Sequence, residues 1–85
     1  MKISTKGRYA LRILADIAEH GVEKNVPIRE IAERQGFSDK YLEGIVSRLS
    51  SAGLVKSGRG KYGGYRLVKA PSEYNVYEIL YAAED

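Results

Sequence analysis

Four stretches of the chain repeat apolar residues with the spacing of a helix. In the first stretch these residues recur at i, i+3, i+4, i+7 and i+8, which places them on one helical face. They are Ala10, Ile13, Leu14, Ile17 and Ala18, with Arg8, Arg12, Asp16 and Glu19 mostly on other faces. Ser4 or Thr5 can cap the start, and Gly21 follows His20 as a stop. We therefore predict a helix over residues 5–20.

The next two stretches are separated only by Gly36-Phe37-Ser38. A short helix is predicted over 28–35, after a possible short strand at Val26-Pro27-Ile28. The apolar stripe Leu42, Ile45, Val46, Leu49 and Ala52 predicts a helix over 38–52. Ser38 is a good cap for that helix, and Phe37 can pack against Leu42 as a hydrophobic staple. Two helices joined by so short a turn form a helix-turn-helix.

After Gly53 the pattern becomes strand-like. Two strands are predicted at 54–57 and 65–68, separated by seven residues of which four are glycine. A fourth helix over 75–83 follows from Val76, Ile79, Leu80 and Ala83, with Asn75 and Glu78 resembling a capping box. The predicted fold class is mainly α with a small β-hairpin, a winged helix-turn-helix in a single domain over residues 1–85.

Charge is distributed unevenly along the 85 residues. All 14 Lys and Arg lie in residues 1–69 together with seven of the 11 acids, whereas residues 70–85 hold four acids and no base. A basic body favours a polyanionic partner. No apolar run approaches the ~18 residues that span a bilayer, and no secretory leader is visible, so we expect a cytoplasmic protein. With no cysteine and one histidine, thiolate metal sites within these residues are excluded.

The glycine-rich loop Gly58-Arg59-Gly60-Lys61-Tyr62-Gly63 matches the nucleotide-binding pattern G-x-G-x-x-G. That pattern requires a helix directly after the loop, so that backbone amides and the helix dipole meet a pyrophosphate. Here a strand pattern follows, which argues against a nucleotide site. No nucleophile–base pair can be assembled either, so we predict no enzyme. We interpret the loop as a wing, with Arg59 suited to a narrow minor groove and Lys61 to phosphate.

The face of the third helix opposite its apolar stripe carries small and hydrogen-bonding side chains. Between a helix-turn-helix and a basic hairpin, this face is more than an ordinary solvated surface and predicts contacts in a DNA major groove. The candidates are Ser38, Lys40, Tyr41, Glu43, Gly44 and Ser47, with Arg48 at the flank. Glu43 can accept from a cytosine amino group, and Lys40 and Arg48 are suited to phosphates. A mid-helix Gly44 suggests close approach of the backbone to a ligand.

Three blocks of the sequence resemble the Rrf-two family of bacterial winged-helix regulators. They read MKISTKGRYALRIL, IAERQGFSDKYLEGIVSRLSSAGLVKS and RGKYGGYRL, the last being most similar to the cysteine-metabolism branch. The resemblance implies a dimeric repressor or activator on a palindromic operator. Ser38, Lys40, Tyr41, Glu43, Gly44 and Ser47 align with the recognition helix, and Arg59 and Gly60 with the wing tip. Thr5 and Lys6 fall where the first helix meets the DNA backbone.

The same resemblance sets expectations for cofactors and assembly. Cluster-binding members of the family carry three cysteines just beyond the position of Asp85, so an iron–sulfur cluster is expected only if cysteines follow that residue. No cofactor is expected within residues 1–85, and a homodimer is expected for the full-length protein.

Two other functions stay open at this point. The fourth helix could make the domain a protein-interaction module through Val76, Ile79, Leu80 and Tyr81. Tyr62 and Tyr65 could stack on single-stranded RNA.

Overall fold

Helices and strands follow one another in the order that the apolar pattern predicts. The structure, a computed structural model, describes residues 3–22, 24–58 and 63–84. The helices are α1 (Thr5–His20), α2 (Ile28–Gln35), α3 (Asp39–Ser51) and α4 (Val76–Glu84), and the strands are β1 (Val55–Ser57) and β2 (Tyr65–Leu67). A 3-10 turn at Pro71–Glu73, which the sequence did not predict, precedes α4. The predicted fold class is confirmed. None of the helices in these ranges is long and apolar enough to cross a membrane.

The core lies between the four helices and β1, and α2 and β1 contribute Ile31, Ala32 and Val55 to it. The apolar stripe of α1 is buried except for Ala18, which is half-buried. The stripe of α3 contributes Leu42, Ile45, Val46 and Leu49. At Gly7 a Cβ would lie 2.8 Å from Leu80 Cδ2, so glycine lets α1 and α4 pack closely. The prediction of a buried position is wrong for two residues. Ala52 is exposed because α3 ends at Ser51, and Val76 is 52% exposed in the first turn of α4.

Side-chain caps fix the starts of α1 and α3. The Ser4 hydroxyl accepts from the Gly7 amide at 3.0 Å, and the Ser38 hydroxyl accepts from the Tyr41 amide at 3.1 Å. Both bonds satisfy amides that a helix start leaves without a partner. The helix-turn-helix is closed by Gly36, whose φ of 77° is a left-handed conformation that suits glycine.

At the start of α4 the predicted capping box forms only in part. The side-chain oxygen of Asn75 accepts from the Tyr77 amide at 2.7 Å. Glu78, however, accepts from Lys69 Nζ at 2.9 Å and so pairs with the segment after β2. The reciprocal half of the box is therefore replaced by an ion pair that ties α4 to the hairpin.

The wing hairpin is antiparallel and is tied to the segment before α2. Val55 lies opposite Leu67, Lys56 opposite Arg66, and Ser57 opposite Tyr65. Tyr65 also forms an isolated bridge with Val26, with N···O distances of 2.8 and 2.9 Å in the two directions. The possible short strand at 26–28 is thus reduced to a single bridging residue.

One carboxylate joins α1 to α2 inside the fold. The Asp16 residue is only 3% exposed, although its position in the sequence suggested a side chain mostly off the buried face. Arg34 donates to its carboxylate twice, from Nε at 2.9 Å and from Nη2 at 2.8 Å, and the side-chain amide of Gln35 donates at 2.9 Å. Burial acts to raise the pKa of Asp16, but these hydrogen bonds and the charge of Arg34 outweigh it. The pKa is therefore lowered from its ordinary value of 3.8.

We expect Asp16→Asn to lower the free energy of unfolding at pH 7 by about 2 kcal/mol, because the amide lacks the negative charge and has only one oxygen to accept the two hydrogen bonds from Arg34. Folding lowers the pKa of Asp16, so its ionised form stabilises the native state. This contribution is complete above pH values near 3.8 and is lost as the pH falls through the lowered pKa. Urea unfolding at pH 7 and pH 3 should therefore show a smaller acid-induced loss for the variant than for the wild type.

Glu33→Gln is the matched control, since it makes the same charge change at an exposed position of α2. Equal stability of the two variants at pH 7 would contradict a structural role for the buried carboxylate.

Candidate nucleic-acid interface

The exposed side of α3 forms one continuous surface, which we call the reading face. It consists of Lys40, Glu43, Gly44, Ser47 and Ser51, all exposed and opposite the buried stripe of the same helix. At 100° per residue these positions fall within one side of the cylinder. The residues predicted for the major groove therefore lie together, with Ser38 at the end where the helix begins.

Gly44 lies in the middle of the reading face and has no packing reason to be glycine. A Cβ built at this position would meet no atom within 4 Å among the described residues. Its backbone is helical, so a left-handed conformation does not explain it either. A glycine inside a helix costs about 0.5–1 kcal/mol relative to alanine. The fold does not recover this cost, which is consistent with selection for the approach of a ligand.

The charges near this face are not neutralised internally. The ion pairs found among the described residues join His20 to Glu19, Arg34 to Asp16 and Glu30, and Lys69 to Glu78. None of them involves Lys40 or Glu43, nor Lys6, which is exposed beside Thr5 in the first turn of α1. These charged groups are therefore available to a partner.

An aromatic cluster holds the start of α3 against α1. The ring of Tyr9 lies 4.2 Å from that of Phe37 and 5.6 Å from that of Tyr41, measured between centroids. The guanidinium of Arg12 lies 5.1 Å from the Phe37 ring and donates to the Gln35 side chain at 3.1 Å. Tyr41, a predicted DNA contact, is a member of this cluster and is also 37% exposed. It therefore helps to hold α3 against α1 while part of its side chain reaches solvent.

Sequence reasoning missed Tyr9, Arg12 and Gln35 as members of this cluster. One local indication was present, because an aromatic residue and an arginine three positions apart share a helix face. Their partners on α2 and in the turn cannot be read from that spacing.

Arg48 occupies the flank of α3. It is half-buried and lines a groove of about 350 Å³ with Ser51 and, from α4, Tyr81. Its position at the side of the reading face agrees with a phosphate contact better than with a base contact.

The predicted wing-tip contacts Arg59, Gly60 and Lys61 lie outside the described residues, as does Tyr62. The base of the wing is described, and two of its glycines are required by packing. A Cβ at Gly58 would lie 1.5 Å from Asn25 Nδ2, and one at Gly64 would lie 2.8 Å from the carbonyl carbon of Val26. Gly64 also has a φ of 96°. The hairpin is therefore held directly against the chain before α2.

A tyrosine at the other end of the hairpin ties both strands together. The Tyr74 hydroxyl donates to the Leu54 carbonyl at 2.5 Å and accepts from the Val68 amide at 2.9 Å. One residue lies just before β1 and the other just after β2. The wing is thus held at both ends by residues from outside the hairpin.

We expect Gly64→Ala to destabilise the protein more than Gly63→Ala. Both positions have positive φ, and alanine there costs about 1 kcal/mol. A Cβ at Gly63 meets no described atom within 4 Å, whereas at Gly64 it collides with the Val26 backbone. The collision should cost at least about 1 kcal/mol more. Thermal unfolding of the two variants makes the comparison, and equal midpoints would contradict the close approach.

The chain is similar to known proteins in family, in sequence and in structure. The family model described as "Rrf2: Iron-dependent Transcriptional regulator" matches residues 3–85. The transcriptional regulator IscR of Photorhabdus laumondii is 47% identical over 85 residues, which is 100% of this chain and 52% of that protein.

Solved structures similar to this chain include those of CymR and IscR proteins. The global cysteine regulator CymR of B. subtilis has a TM-score of 0.91 at 44% identity, covering 99% of this chain and 65% of that one. The IscR of T. potens has a TM-score of 0.90 at 45% identity, covering 100% and 62%. The chain spans about half the length of the curated relatives it matches.

Proposed function

Because the chain belongs to the Rrf2 family of transcriptional regulators, we propose that it binds double-stranded DNA, with α3 in the major groove and residues 58–64 in the minor groove. The observation that carries this proposal is the reading face, exposed and free of ion pairs with described residues, with an unpacked glycine at its centre. A glycine there lets the helix backbone lie close to base edges.

The contacts divide by chemistry. Glu43 accepts from an exposed cytosine amino group, and Ser38 and Ser47 donate or accept at base edges or phosphates. Lys40 and Arg48 bind phosphates, as do Thr5 and Lys6 at the start of α1. On the wing, Arg59 enters the minor groove, Gly60 allows close approach, and Lys61 binds phosphate.

A second copy completes the recognition site. A single reading helix contacts few base pairs, and dimeric helix-turn-helix proteins place two such helices on the halves of a palindrome. We propose that the full-length protein is a homodimer on a palindromic operator.

The described residues offer no site for iron. The family description includes iron dependence, yet the chain contains no cysteine. Among the described residues, no group of three His, Asp or Glu side chains is arranged to hold a metal ion. The described residues therefore do not fit a metal ion, the cysteine-free chain does not fit a thiolate-bound cluster, and the DNA-binding proposal does not involve either.

Two variants of the reading face test the proposal on duplexes selected from a random library with the wild-type chain. Gly44→Ala should raise the free energy of unfolding by about 0.5–1 kcal/mol and still weaken DNA binding, because the new methyl group faces the DNA. Lys40→Met should weaken binding and make the negative slope of log K against log salt shallower by about 0.9, which is the contribution of one phosphate contact. Fluorescence anisotropy over a range of salt concentrations measures both effects.

Lys24→Met is the matched control, an exposed lysine in the connector after α1. It should leave affinity and salt slope nearly unchanged. If both reading-face variants bind like the control, α3 is not the reading helix.

One observation favours a second function for α4. Its residues Val76, Tyr77 and Tyr81 are 52, 68 and 77% exposed, a large apolar share for nine residues. The sequence suggested a surface of Val76, Ile79, Leu80 and Tyr81, but Ile79 and Leu80 are buried in the core and do not belong to it. The second candidate is therefore a protein-interaction surface formed by these three side chains.

We expect a double variant, Tyr77→Ser with Tyr81→Ser, to reduce association of the chain with itself or with a partner and to leave intrinsic DNA affinity unchanged. Sedimentation velocity over a range of protein concentrations measures self-association. A wild-type chain that sediments as a monomer at all concentrations would remove the case for self-association through α4.

A further inference from the structure

A groove of about 450 Å³ separates the C-terminal end of α1 from the wing hairpin. We call it the α1–wing groove. Its walls include Ile17 and Val22 on one side and Lys56, Arg66, Val68 and Lys69 on the other. None of these residues belongs to the reading face. The groove is therefore separate from the proposed DNA contacts of α3.

Two cations at this groove face each other across the hairpin. Lys56 and Arg66 are directly opposite in the register of β1 and β2, and both are exposed. Neither forms an ion pair with any residue in the described ranges. Like charges directly opposite on a sheet destabilise it, so this pair favours an anion placed between them.

The third cation of the groove already has partners. Lys69 Nζ lies 2.9 Å from the Glu78 carboxylate and 5.0 Å from the centre of the Tyr74 ring. The positive charge still available at the groove therefore comes from Lys56 and Arg66.

Apolar side chains lie beside these charges. Val22 is 82% exposed and Val68 is 51% exposed, and both line the groove together with the buried Ile17. A single exposed valine needs no explanation. Two of them in one groove, next to two cations, create a surface that is apolar and positively charged at once.

We propose that the α1–wing groove binds a small organic anion, a carboxylate with a short aliphatic chain. Its volume lies in the range of small-molecule sites. Lys56 and Arg66 bind the carboxylate, and Val22, Val68 and Ile17 contact the chain. An acidic peptide could meet the same charges, but a small carboxylate fits the limited volume between one helix end and one hairpin.

Occupancy of the groove also offers a route to regulation. The ligand would contact α1 and the wing together, and the wing is bound to the segment before α2 through the Val26–Tyr65 bridge. A ligand that prefers one wing position shifts the population toward it. This regulatory step rests on the proposed DNA binding, whereas the site itself does not.

The test uses three matched probes on the isotope-labelled chain without DNA. Hexanoate has both a carboxylate and an aliphatic chain, acetate has the carboxylate without that chain, and hexanol has the aliphatic chain without the charge. We expect hexanoate to shift the backbone amide signals of Val22, Arg66 and Val68 in NMR spectra, with an affinity at least about tenfold above that of either other probe. Equal responses to all three probes, or shifts confined to other residues, would overturn the proposal.

Variants assign the binding to the groove. Arg66→Gln and Lys56→Gln should each weaken hexanoate binding by about two- to fivefold, the effect of one exposed charge contact. Arg29→Gln is the control, since it removes an exposed arginine at the start of α2. A loss of the same size in the control would show that hexanoate responds only to net charge, and the site would be rejected. Tighter binding of an acidic hexapeptide than of hexanoate would overturn the small-ligand assignment.

A DNA titration with and without hexanoate tests the regulatory step separately. A change in DNA affinity for the wild type that disappears in Arg66→Gln supports regulation through the groove. Hexanoate binding with unchanged DNA affinity rejects regulation and leaves the site in place. Failure of the chain to bind any duplex would count against the proposed function alone, because the NMR titration contains no DNA.

Discussion

The buried carboxylate of Asp16 is the interaction on which the arrangement of the helices depends. It binds Arg34 and Gln35 at the end of α2, and Gln35 in turn accepts from Arg12. Arg12 stacks on Phe37 in the turn that leads into α3. One carboxylate on α1 therefore orients the end of α2, the turn and the start of α3. A buried charge holds this arrangement strongly because any displacement leaves it without its partners.

Much of the fold could be predicted because helix periodicity and capping residues are local. The apolar stripe shows which face is buried, and Ser38 shows where α3 begins, so the predicted helices lie close to those observed. The Asp16 network could not be predicted, since its partners are 18 and 19 residues away. A single acid beside an apolar stripe looks like a solvated charge until those partners are known. Ala52 and Val76 were misplaced because periodicity says little about the last or first turn of a helix.

The candidate site divides in the same way. The reading face is the complement of the buried stripe of α3, so the spacing that predicts one predicts the other. The α1–wing groove depends on strand register and on the end of α1 lying beside the hairpin, and neither is contained in a local pattern. Lys56 and Arg66 become a pair only once the register is known. The wing-tip residues Arg59, Gly60 and Lys61 stay predictions from sequence.

The bridge between Val26 and Tyr65 has a consequence for the order of folding. It joins positions 39 residues apart, whereas the two helices of the helix-turn-helix meet across three residues. Closing a long loop costs more chain entropy than closing a short one, and contacts between distant positions tend to form late. The wing should therefore reach its final position only after α2 and α3 have packed as a helix-turn-helix. A nascent chain would then form the proposed wing contact with DNA later than its helix-turn-helix, which limits premature capture of nucleic acid by a partly folded domain.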